Sequence, residues 1–204
     1  MLPSQRLPAS HGKHSLYPFL SVIKDRRFIV FIIAAGLIQT SHIIYYAFGT
    51  IHWQKVGHSE MIIGWLWAEG VIAEVIVFIC GSWLIKKVKP AGLIALAGLA
   101  GMIRWWGTGI TDSLPALLFL QILHGVTFGA THLGAIHFIA QRMNTSISAT
   151  AQSIYAAAVS GIGFSIASLL SVHLYVAHGS GAYFVMAAMA GSGGFIALQS
   201  GRRS

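Results

Sequence analysis

Between Leu117 and Gln141 an otherwise apolar run carries Gln121, His124, His132 and His137. The run is apolar enough to cross a membrane. Ionisable side chains at that depth are costly and are normally turned toward a protein interior or a wet cavity. At ~100° per residue, Gln121, His124 and His132 fall within an arc of roughly 80°, and His137 points to nearly the opposite side. Gly125 and Gly129 lie beside the arc, where small residues let another helix come close. A neutral imidazole can take or give a proton, so this stripe suits a proton-coupled step, or the wall of a solute pathway.

Other apolar runs carry matching groups. Gln39, His42 and Tyr46 recur at i, i+3 and i+7, with Tyr45 next to them, and Gln152 and Tyr155 recur at i and i+3. Such stripes either line a pathway or join helices by hydrogen bonds. Glu69 and Glu74 diverge by roughly 140° on a helix, so one site cannot easily use both. A carboxylate at this depth needs a partner or a proton, and either state suits a proton carrier. Arg104 is the natural partner for a glutamate on the preceding segment or for an anionic solute. The alternative is that it snorkels to an interface beside Trp105 and Trp106.

The elements that must position these groups follow from composition. Of 204 residues, 55% are hydrophobic and only 9% charged, where a soluble domain carries about 25% charge. The chain is therefore expected to be an all-α integral membrane protein. The single cysteine, Cys80, allows no intrachain disulfide. The net charge of +8 does not point to nucleic acid, because the basic residues lie between apolar segments and form no aromatic-interleaved patch. The first apolar run follows a polar stretch and has no small-residue cleavage site, so it does not read as a signal peptide.

Residues 1–27 read as a flexible polar leader or as a cytoplasmic linker, the remnant of a central one. Six segments follow, at about 28–51, 61–85, 91–110, 114–140, 148–174 and 182–198, and 199–204 form a tail. Each segment is near or above the ~20 residues a spanning helix needs. Eleven of the 13 Lys and Arg fall in the leader, the second and fourth loops and the tail. The positive-inside rule makes that side cytoplasmic, with both termini inside. His52, His58, His173 and His178 fall near the outer loops, where the interface accounts for them.

The stretches QTSHIIYYAFGTIHWQ, GWLWAEGVIAEVIVF, LQILHGVTFGATHL and AQSIYAAAVSG together resemble the carboxy-terminal half of the 3-phenylpropionic acid transporters, the phenylpropionate permease family of the major facilitator superfamily. The resemblance covers about residues 15–195. It implies one six-helix half of a twelve-helix symporter of the bacterial inner membrane, working by alternating access. It implies Glu74 as the family's glutamate and Glu69 as a departure. Gln39, His42, Tyr45, Tyr46, Arg104, Gln121, His132, Gln152 and Tyr155 become substrate-cavity candidates, and Glu74 and His124 candidates for proton coupling. The outline is also similar to the lactose permeases, except that the fourth segment here lacks a carboxylate.

The resemblance further implies a small solute and a proton as ligands, an aromatic carboxylate such as phenylpropionate among the solutes, and no cofactor. Such transporters hold substrate between two halves. A second six-helix half, either an amino-terminal half or a second copy, is therefore the expected partner, and Met1 is expected to lie inside a longer gene or to start a half-transporter. One competing reading is a truncated inactive fragment or structural membrane protein. Another is a haem or metal protein built on the histidines. Against that, no HExxH is present, and His124 and His132 share one helix with only His42 to face them. Nothing in the sequence points to an enzyme.

Overall fold

A computed structural model describes residues 16–202, all of them helix or short connection. Four helical runs are long and apolar enough to cross a membrane: Arg26–Lys55, Glu60–Ile79, Pro90–Ile110 and Leu114–Arg142. A fifth run, Thr145–Gly201, spans 57 residues, about 86 Å at ~1.5 Å per residue. It folds back at Gly179, whose φ of 55° lies in the left-handed region open to glycine. The run thus crosses twice, which makes six crossings among the described residues.

The expected polar leader is partly helical. α1 (Tyr17–Ile23) packs on a later helix, α9 (Thr145–Ala156), and buries Val22 completely. Tyr17, Leu20 and Val22 supply apolar surface that the surrounding Pro, His and Lys residues obscure in the sequence. Residues 1–15 lie outside the described region. α2 (Arg26–Thr40) starts at an Asp25 cap that accepts from the Arg27 and Phe28 amides. This satisfies N–H groups that have no partner inside the helix.

The first crossing is not one rod, because α2 stops before α3 (Ile43–Lys55) begins. The hydroxyls of Thr40 and Ser41 donate to the carbonyls of Gly36 and Ile38 at 2.7 and 2.6 Å, and His42 Nδ1 lies 3.1 Å from the carbonyls of Ile38 and Gln39. Local side chains competing for backbone carbonyls interrupt a helix in this way. The second crossing is α4 (Glu60–Ile79), capped by Ser59, with a break at Cys80 before α5 (Gly81–Lys87). The expected helix across 61–85 is therefore two pieces.

The third crossing, α6 (Pro90–Ile110), has proline in its first turn, where the missing N–H costs nothing. The fourth contains α7 (Leu114–His124), a π-helical segment Gly125–Ala130 and α8 (Thr131–Arg142). The fifth contains α9, a second π-helical segment Ala157–Gly163 and α10 (Phe164–His178). The sixth is α11 (Ala182–Arg202).

Glycines set the closest approaches. A Cβ on Gly125 would strike the carbonyl of Ala73, so the π segment lies directly on α4, and Gly98 on α6 likewise meets the backbone of Gly194 on α11. Two apolar clusters flank the middle of the bundle. One gathers Phe28, Phe31, Ala34, Ile94 and Ile139, and the other Ile44, Trp53, Leu66, Trp105 and Tyr183. The polar residues lie between them.

Candidate functional site

Gln121 and His124, one turn apart on α7, point into the bundle and are almost wholly buried. Arg104 reaches them from α6 with no exposed surface. It donates to Gln121 Oε1 at 2.7 Å and to His124 Nδ1 at 3.0 Å. The guanidinium also lies over the rings of Tyr45 and Trp105, 4.5 and 4.3 Å from their centroids. Those faces and hydrogen bonds stand in for the water that a buried cation loses. Snorkelling to an interface is therefore ruled out for Arg104. The direct glutamate partner expected for it is replaced by a histidine and an amide.

The amide of Gln121 is fully engaged, since its Nε2 donates to the Tyr45 hydroxyl and to the carbonyl of Leu66, both at 3.0 Å. One side chain thereby ties α3, α4 and α6 to α7.

Glu74 lies on the other side of His124, with Oε2 3.8 Å from Nε2. The Arg104 guanidinium can only donate, so Nδ1 accepts and the ring's proton is on Nε2, facing Glu74. The gap is one small adjustment, or one bridging water, from a hydrogen bond. Arg104, His124 and Glu74 thus stand in series, with a buried cation at one end and a half-buried carboxylate at the other. Glu69 takes no part in it. Its Oε2 is buried without a hydrogen-bond partner among the described residues.

His42 is completely buried beside His124, 5.4 Å between ring centroids. The two carbonyls at Nδ1 require a proton there, which leaves Nε2 to accept from the Thr127 hydroxyl at 3.1 Å. That hydroxyl also lies 3.1 Å from the carbonyl of His124. With a single proton, it serves one of the two at a time.

The remaining candidates line an open cavity of about 730 Å³ in front of this network. Its wall contains Gln39, Tyr46, His132, Gln152 and Tyr155, together with Phe128, Ser153, Ser160 and Phe164. Gln39 is 4% exposed. Its amide interacts with the Tyr155 hydroxyl, while its buried Oε1 has no hydrogen-bond partner among the described residues. Tyr46 lies between the cavity and the buried network, since its ring stacks on His42 and Phe164 and meets His124 edge-on.

The eleven candidates thus divide into two layers. Tyr45, His42, Arg104, Gln121, His124 and Glu74 are network members rather than cavity wall. His132 lies on the cavity wall as an exposed side chain, in edge contact with Phe78. Thr127, Phe128 and Phe164 were not among the sequence candidates. A threonine or phenylalanine in an apolar helix carries no signal until its neighbour is known. At the opposite end of the bundle His52 joins Asp112 Oδ1 at 2.8 Å and the Tyr175 hydroxyl at 3.1 Å, and His58 reaches the carbonyl of Asp112. These contacts tie together α3, α10 and the two connections that carry His58 and Asp112.

A family model described as the MFS_1 like family matches residues 6–186. The chain belongs to the MFS_1 like family, within the major facilitator superfamily. It is 35% identical over 160 residues to a probable 3-phenylpropionic acid transporter of Escherichia coli K12, covering 78% of this chain and 42% of that protein. It is 26% identical to the uncharacterized transporter YwbF of Bacillus subtilis, over 71% of this chain and 36% of that one. It is 25% identical to a raffinose permease of Escherichia coli, over 60% of this chain and 29% of the permease. The chain spans less than half the length of each of these relatives, and the resemblance seen in its helix sequences is of the same kind. It is a multi-pass membrane protein with the architecture of one major-facilitator half.

Proposed function

We propose that this chain is the carboxy-terminal half of a proton-coupled transporter for a small solute, an aromatic carboxylate such as phenylpropionate. The observation that carries the proposal is the layered site, in which an open aromatic and amide-lined cavity lies against the Glu74–His124–Arg104 relay. In the cavity the rings of Tyr46, Phe128 and Phe164 provide apolar faces for an aromatic solute. Gln39, Gln152 and His132 offer donors to its carboxylate. Arg104 is held away from the solute and keeps His124 oriented with Nε2–H toward Glu74. Glu74 takes up and releases the transported proton, and Tyr46 passes the state of the relay to the cavity.

The cavity is open on one side, and the relatives are more than twice as long as the matched region. A second six-helix half, either an amino-terminal half or another copy of this chain, supplies the facing wall. In this reading residues 1–27 and 199–204 are cytoplasmic, residues 28–198 form the membrane domain, and the membrane is the bacterial inner membrane. The raffinose permease among the relatives favours a sugar as the alternative solute.

The test is uptake of labelled phenylpropionate and raffinose into inverted and right-side-out vesicles. The vesicles contain this chain alone or co-expressed with an amino-terminal half. Proton-driven accumulation is expected from the pair and is abolished by Glu74→Gln, with exchange of solute down its gradient retained. Normal uphill uptake by Glu74→Gln would remove Glu74 from the mechanism. No uptake from any pairing would leave an inactive fragment or structural membrane protein.

A further inference from the structure

A second cavity, of about 420 Å³, lies at the basic end of the bundle between the start of α2 and the end of α11. It is lined by Arg26, Arg27, Val30, Ile196, Gln199 and Ser200. We infer that it holds the headgroup of an anionic glycerophospholipid, with the phosphate between Arg26 and Arg27 and the acyl chains running down the groove between the two helices.

The groove is built by the helix contact below it. Gly193 lets α11 press on Ala34 of α2, where a Cβ would lie 2.5 Å from the Ala34 carbonyl. Two turns toward the rim, the spacing from Ala34 to Arg26 and from Gly193 to Ser200, the helices leave the cavity between them. Its rim is cationic. Both arginines are exposed, and neither guanidinium makes an ion pair or hydrogen bond among the described residues. Asp25, the nearest carboxylate, is taken by Arg142, whose Nε donates to Oδ2 at 2.8 Å. The guanidinium forks are therefore free, and their geometry matches phosphate oxygens in pairs.

The cavity floor is apolar. Val30 lies one turn below both arginines, and Ile196 one turn below Gln199 and Ser200. Further down, Ile33 and Phe195 are 48% and 61% exposed on the outer surface. A soluble phosphate would use the rim alone, whereas a phospholipid uses both the rim and the apolar floor. Ser200 adds a chemical preference. Its hydroxyl proton is given to the carbonyl of Ala197 at 2.8 Å, so toward the cavity Ser200 offers only acceptor lone pairs. Gln199 offers both a donor and an acceptor. A headgroup that brings its own hydroxyl, such as that of phosphatidylglycerol, satisfies this rim. Basic pockets between membrane helices bind anionic headgroups by the same physics.

The test uses the purified full chain in detergent, with phosphatidylglycerol, phosphatidylcholine and inorganic phosphate as separate probes. Native mass spectrometry reads lipid retention and Tm reads folding. One phosphatidylglycerol is expected to be retained in preference to phosphatidylcholine, and inorganic phosphate should not displace it. The double variant Arg26→Gln/Arg27→Gln should bind phosphatidylglycerol about thirty-fold more weakly, at ~1 kcal/mol for each basic group near the surface. Lys86→Gln/Lys87→Gln, which removes the same charge from exposed positions at the same end, should bind normally. Ile196→Trp, which fills the groove and keeps both arginines, should lose the lipid too, so the result stands even if the arginine variant folds poorly. Equal losses in the arginine and lysine double variants would reduce the site to general surface charge. Displacement by inorganic phosphate would make it a soluble-anion site. Undiminished binding by Ile196→Trp would remove the groove.

Discussion

The amide of Gln121 accepts from Arg104 and donates to Tyr45 and Leu66, so its loss strands groups on three helices. Replacing it by leucine leaves one arm of a buried guanidinium without its acceptor, a cost of roughly 1–3 kcal/mol. Gln121→Leu is expected to lower Tm in detergent sharply. Gln121→Glu, which still accepts from Arg104, should lower it less. An unchanged Tm in Gln121→Leu would show that Arg104 finds other partners. The value of this residue was legible in part, because glutamine and arginine in apolar helices need partners wherever they occur. Their pairing with each other was not, since Arg104 and Gln121 lie on separate helices and nothing in their own segments relates the two faces.

Gln152 and Tyr155 lie within one uninterrupted helix, and both line the cavity. His132 follows a π segment and lines the same cavity. That segment also lies directly against α4, through Gly125 and the Ala73 carbonyl. Gly125→Ala is expected to cost about 1–3 kcal/mol, the usual range for overpacking, because the atom it strikes is backbone and cannot rotate away. Gly161→Ala, in the second π segment with nothing within 4 Å of the new methyl, should be neutral or stabilising by up to ~1 kcal/mol. Unfolding of both variants by denaturant in one detergent separates them, and equal destabilisation would show that the π conformation itself, rather than the contact, demands glycine.

Across the whole molecule, ties at both ends hold the crossings around the polar layer. At the basic end Arg142 donates through Nε and a terminal nitrogen to the Asp25 carboxylate, at 2.8 and 3.1 Å, joining residues 117 positions apart. Partial burial pushes the Asp25 carboxyl up, but the hydrogen bonds and charge of Arg142 and the amides of Phe28 and Arg27 outweigh this and hold it below the usual carboxylate range. A depressed carboxyl stabilises the fold above its unfolded value of ~3.9 and loses that contribution as pH falls through the folded value. Stability is therefore expected to drop on acidification below about pH 4, by roughly 1 kcal/mol for a partly exposed pair. Asp25→Asn should start lower and lose less over the same interval, and parallel pH profiles for the two proteins would assign the acid sensitivity elsewhere. The sequence by itself determined that the chain crosses a membrane six times and which residue types lie at depth, because hydropathy and charge act locally along a chain. It also carried the family resemblance, which rests on runs of consecutive residues. Only the tertiary structure decided that Arg104 is buried and paired with His124, that Glu74 and not Glu69 stands beside that histidine, and that the cavity wall and the buried polar network are separate layers. Those outcomes depend on interhelical register, helix breaks and π turns, which are set by packing between segments far apart in sequence.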